Sequence, residues 1–134
     1  MAQNTVLKEA LTDAMIEAGA QLIRKLEEMG VPITSALWLL DTEINEWRLL
    51  LASTVVAEAG PTTMYRKVRL AREQLDERAS EVLFLAVSVA PEDADLIKRL
   101  RATVHTGADL ERIRFHKNVA DGHFIEDALI YRST

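Results

Sequence analysis

Over the first thirty positions, apolar residues recur at spacings of three and four. Leu7, Leu11, Met15, Ala18, Leu22, Leu26 and Met29 fall in one stripe, and Lys8, Asp13, Glu17, Arg24, Lys25 and Glu28 lie opposite. That period predicts an α-helix with one face on a core and the other in water. Asn4 or Thr5 can cap its start, and Gly30 followed by Pro32 supplies the stop. So long a helix is expected to cover a sheet, or to overhang and meet a partner.

Residues 33–56 read two ways. Ala36 to Leu40 and Trp47 to Leu51 can be two strands joined by the polar stretch from Asp41 to Glu46. Leu37, Leu40, Ile44, Trp47 and Leu51 also fit a helical stripe with no Gly or Pro inside it. The hairpin is preferred, because runs apolar on both faces suit buried strands and Asp41 and Asn45 suit a turn.

Gly60-Pro61 opens a second helix, with Met64, Val68, Ala71 and Leu75 on its inner side. Val82 to Val89 reads as a strand buried on both faces, central in the sheet. A third helix starts at Pro91, carries Leu96, Ile97, Leu100 and Val104 inward, and ends before Gly107. Finally, Ile113, Phe115, Lys117 and Val119 alternate with Arg112, Arg114, His116 and Asn118, and Asp121-Gly122 is a strong two-residue hairpin turn. The predicted order is α-β-β-α-β-α-β-β. This is a two-layer α+β domain spanning residues 1–134, with a mixed, mainly antiparallel sheet of about five strands and helices chiefly on one face.

Counting outward from Asp121-Gly122 sets His116 opposite Asp127 and sorts the hairpin into two faces. Val119–Phe124, Lys117–Glu126, Phe115–Ala128 and Ile113–Ile130 form the expected core face. The other face gathers Arg112, Arg114, His116, Asn118, His123, Asp127 and Tyr131. A carboxylate beside an imidazole favours the charged ring and orients it for acid–base work. His116 and Asp127 are therefore the candidate catalytic pair. Arg114, Asn118, His123 and Tyr131 are the candidate ligand binders, with Arg114 the anion holder. The competing reading is an ordinary solvated sheet face with cross-strand pairs.

Composition narrows the chemistry. The chain has 134 residues, 49% apolar and 28% charged, and no cysteine, so disulfides and thiolate metal sites are excluded. No secretory signal pattern or span of membrane length is evident, so a cytoplasmic location without membrane association is expected. The net charge of −5 arises in residues 1–60, four Lys/Arg against nine Asp/Glu, and the remainder balances. That is a poor footprint for a general nucleic-acid binder. Local basic clusters nevertheless stand at Arg66, Lys67, Arg69 and Arg72, at Lys98, Arg99 and Arg101, and at Arg112, Arg114 and Lys117. His spacing matches no zinc motif, Ser53 and Ser88 lack a nucleophile elbow, and no phosphate loop follows Gly60, so neither metal nor cofactor is expected. Trp38 and Trp47 read as core anchors.

Ala36-Leu-Trp-Leu-Leu-Asp, followed by Glu46-Trp-Arg-Leu-Leu-Leu-Ala-Ser53 after an amphipathic helix, resembles the opening of GAF-type sensor domains. The resemblance covers about a third of the chain and implies a helix leading into a hairpin of an antiparallel sheet that cups a small ligand; the second half departs from it, and no binding residue carries over. Two functions are expected from the sequence. One is a regulatory or interaction module acting as a homodimer or with a partner protein. The alternative is a small hydrolase or phosphodiesterase-like enzyme built on the terminal hairpin.

Overall fold

A computed structural model describes residues 10–134. The ten elements are α1 (Asp13–Glu28), β1 (Ser35–Asp41), β2 (Glu46–Ala52), α2 (Thr54–Ala59), α3 (Pro61–Glu73), α4 (Glu77–Leu83), β3 (Val87–Ala90), α5 (Asp95–Thr103), β4 (Ile113–Ala120) and β5 (His123–Ser133). The five strands make one sheet in the order β3-β2-β1-β5-β4. Only β2–β3 is parallel; the other pairs are antiparallel. The mixed α+β sheet expected from the sequence is present, as is the β1–β2 hairpin.

Two cores sandwich the sheet. Leu22, Ile23 and Leu26 of α1, Met64 and Val68 of α3, and Leu83 of α4 pack on Trp38, Leu49, Leu51, Leu129 and Tyr131. Ile97 and Leu100 of α5 pack on the reverse face, against Leu37, Phe115, Ala128 and Ile130. Among the described residues, helices thus lie chiefly on one face, with α5 on the other. Trp38 and Trp47 are core residues, 0% and 5% exposed.

One polar thread crosses the larger core. Trp38 Nε1 donates to Tyr131 Oη at 2.9 Å, and Tyr131 Oη donates to the Ile16 carbonyl at 2.5 Å. Burial raises the Tyr131 phenol well above its ordinary value, the Trp38 hydrogen bond opposing only in part. The thread explains a glycine inside α1: a Cβ on Gly19 would lie 2.5 Å from Tyr131 Oη and 2.8 Å from Trp38 Nε1. Tyr131 and Arg132 pin β5 to α1 from neighbouring positions. Arg132 Nη1 donates to Glu27 at 2.6 Å and to the Ile33 carbonyl at 2.9 Å.

Three expectations need correction. The first helix starts at Asp13, where the Thr12 side chain accepts from Met15 N–H at 3.1 Å. Asn4, Thr5 and Leu7, expected to begin it, lie outside the described residues. The third helix begins at Asp95, behind a turn closed by Ala94 N–H on the Pro91 carbonyl. Lastly, the apolar run from Val82 to Val89 is no central strand. Asp76 accepts from Ala79 N–H at 2.8 Å and caps a short helix, α4, that places Ala79 and Leu83 in the core. Leu85 then turns the chain at φ +63°, and only Val87–Ala90 joins the sheet, at its outer edge. Apolar periodicity alone could not separate these outcomes in so short a run.

Candidate functional site

The terminal hairpin turns where the sequence places the turn. Asp121 and Gly122 have φ of +45° and +82°, the paired positive values that match the twist of flanking strands. His116 pairs with Asp127, Arg114 with Leu129 and Phe115 with Ala128, the register counted from that turn. Lys117 breaks the pattern. It sits at φ +42°, and the ladder has no Lys117–Glu126 pair. Beyond the break the faces exchange. Ile125 and Ala120 join the α5 core, and Val119 and Phe124, expected inside, are 51% and 58% exposed.

On the α1 side of the sheet, three of the candidate residues meet. Arg114 clasps Asp127 with two bonds, Nε to Oδ1 at 2.7 Å and Nη2 to Oδ2 at 2.6 Å. The two are diagonal neighbours on the ladder, a separation that a long guanidinium side chain spans. The Arg114 guanidinium carbon also lies 5.7 Å from the centroid of the Trp47 ring. His116 Nδ1 is 3.5 Å from Asp127 Oδ1. Burial pushes the Asp127 carboxyl up, but hydrogen bonds and charge from Arg114, with His116 adding to them, bring it below its ordinary value. The same pairing raises the Arg114 guanidinium against a smaller opposing effect of burial.

The other candidates stand apart. Asn118 spends its side-chain oxygen on the Val119 N–H at 2.8 Å. His123 lines a cleft of about 690 Å³ with Leu39, Arg48, Leu50 and Phe124. Tyr131 is wholly buried in the thread to Trp38 and Ile16, because α1 covers the face of β5 that the sequence suggests is solvated. No cleft described here draws a wall from Arg114, His116 or Asp127. Among the described residues, no three His, Asp or Glu side chains converge as a metal ion would require. None of their helices is long and apolar enough to cross a membrane.

A second polar surface was hidden by the misplaced strand. Tyr65, Phe84 and Leu85 are 44%, 60% and 78% exposed. They border a cleft of about 350 Å³ between α3 and the start of β3, together with Arg48, Arg69 and Arg72. Arg72 lies 5.3 Å from the Phe84 ring centroid and donates to Ser80 Oγ at 2.8 Å. An adjoining cleft of about 340 Å³ is formed by Thr62, Tyr65, Arg66 and Arg69. The helical spacing of Thr62, Tyr65, Arg66, Arg69 and Arg72 is the signal that could have found this face. Reading Phe84 and Leu85 as strand interior concealed its apolar half.

No family model matches the chain, and no curated protein or solved structure matches it. A helix does precede an antiparallel hairpin, as the likeness to GAF-type domains implies, and that likeness extends no further than the layout.

Proposed function

We propose that the protein is a regulatory or interaction module, acting through its surface with a partner protein or a second copy of itself. The observation that supports this most is the exposed apolar corner at Tyr65, Phe84 and Leu85, contiguous around one cleft. Isolated exposed apolar side chains are ordinary, whereas a group set round a concavity is a feature of contact surfaces.

The alternative, acid–base catalysis by His116 and Asp127, has weaker support. Both Asp127 oxygens already accept from Arg114, and the His116 imidazole stands at 3.5 Å, long for an orienting hydrogen bond. The Arg114 charge is met by Asp127, which weakens its hold on an anion.

Light scattering across a concentration series, with co-purification using the intact protein as bait, tests the interaction role. Association that is lost on Phe84→Ser with Leu85→Ser and kept on His116→Ala is the expected outcome. A strict monomer whose bound proteins do not change with the double substitution contradicts it. So does a turnover activity that His116→Ala abolishes without loss of thermal stability.

A further inference from the structure

The three basic clusters of the sequence meet different fates in the fold. At α5, Arg99 pairs with Asp95 at 2.9 Å and donates to the Asp121 carbonyl, and Arg101 donates to the Glu92 carbonyl at 2.6 Å. At and just before β4, Arg112 pairs with Glu17 at 2.9 Å and Arg114 with Asp127. Of these three clusters, the one along α3 keeps guanidinium groups open among the described residues. Arg66 and Arg69 have no ion pair or hydrogen bond among the described residues. Neither cleft they border has an Asp or Glu in its wall, although the chain as a whole carries −5.

Side chains already engage part of the adjacent sheet edge. Val89 N–H on β3 donates to Tyr65 Oη at 3.3 Å. Arg48 holds the Val87 carbonyl at 3.2 Å and Ser88 Oγ at 2.8 Å, and also donates to the Leu85 carbonyl. These contacts compete with extension of the ladder, so side chains are the readier means of holding a bound chain.

From this geometry we infer that the α3–β3 cleft, with the cleft adjoining it along α3, docks an acidic, partly apolar peptide segment of a partner protein. Carboxylates of the segment meet Arg66 and Arg69, and an aliphatic or aromatic side chain lies against Tyr65, Phe84 and Leu85. Charge complementarity is the ground for that occupant: open guanidinium groups in a wall free of carboxylates are the natural receptor for carboxylates. A nucleic acid fits less well, because the arginines of the other clusters are already engaged and leave a poorer basic track for a phosphate backbone. The inference rests on the interaction role proposed above and adds the chemistry of the partner.

Fluorescence anisotropy on the intact protein provides the test. The probes are a fluorescein-labelled peptide alternating Glu and Leu, its Lys and Leu counterpart, and a labelled oligothymidine. The Glu/Leu peptide should bind, the Lys/Leu peptide should not, and affinity should fall several-fold between about 50 and about 200 mM NaCl. Arg66→Gln with Arg69→Gln should weaken the Glu/Leu peptide by about tenfold or more, the loss of two charge-assisted contacts, with the circular dichroism spectrum unchanged. Equal binding of both peptides, indifference to the double substitution, or tighter binding of oligothymidine overturns the proposal. If any of these occurs while association still depends on Phe84 and Leu85, the acidic partner is wrong and the interaction role stands. If that dependence is absent as well, both fail.

Discussion

The terminal hairpin and the α3 row both present arginines beside an aromatic ring, yet they use the charge in opposite ways. Arg114 lies against Trp47 and meets Asp127 through two short bonds, so its charge is balanced within the fold. Arg72 packs on Phe84 next to Arg69, but no carboxylate lines that cleft. A guanidinium that is paired and partly desolvated contributes to folding, and one left open in a cleft contributes little until something binds. The pattern of charge in the sequence is similar in the two places. What separates them is whether the fold brings an acid into reach.

The contrast is sharpened most by removing the acid. Asp127→Ala should lower stability by about 2 kcal/mol, because it strips the partner from a half-exposed arginine and opens space beneath it. Urea unfolding checks this, and peptide binding at α3 should not change. Tyr131→Phe, at the inner end of the same hairpin, should cost about 1–2 kcal/mol by leaving Trp38 Nε1–H without its acceptor.

Acid should separate the two regions as well. The Asp127 carboxyl lies below its ordinary value of 3.8, so its stabilisation is fully present above that value and is lost as pH falls through the lower folded one. The stability gap between the native chain and Asp127→Asn should therefore be constant near neutrality and narrow below about pH 4. Thermal melts across that range would show it. Smallest of all, His116→Ala should change stability by no more than about 0.5 kcal/mol, since its side chain is 56% exposed and 3.5 Å from an acid already engaged.

Much of the hairpin was legible because its signals were local. The Asp121-Gly122 step sets the turn, the turn sets the register, and the register puts His116 across from Asp127. Two things escaped. A positive φ at Lys117 exchanges the faces of the hairpin tip, and no propensity of lysine announces it. The diagonal reach of Arg114 captured the carboxylate assigned to His116, an outcome decided by side-chain length and by the Trp47 ring, which comes from β2 far away in sequence.

The same division explains the other errors. α4 and β3 share one apolar run, and the helical cap at Asp76 decided how it was split. The burial of Tyr131 depended on α1 crossing the sheet on the side that looked polar, a long-range placement that alternation along β5 cannot reveal. The arginines of α3 were visible as a cluster. Their lack of partners became visible only once the fold had shown which other arginines find acids.

Paired urea titrations of Arg114→Gln and Arg69→Gln bear most directly on the contrast between the two regions. Arg114→Gln should lose about 1 kcal/mol or more, and Arg69→Gln should stay within about 0.5 kcal/mol of the native chain. Equal losses, or a silent Arg114→Gln beside a costly Arg69→Gln, would contradict the division between a structural arginine and an open one.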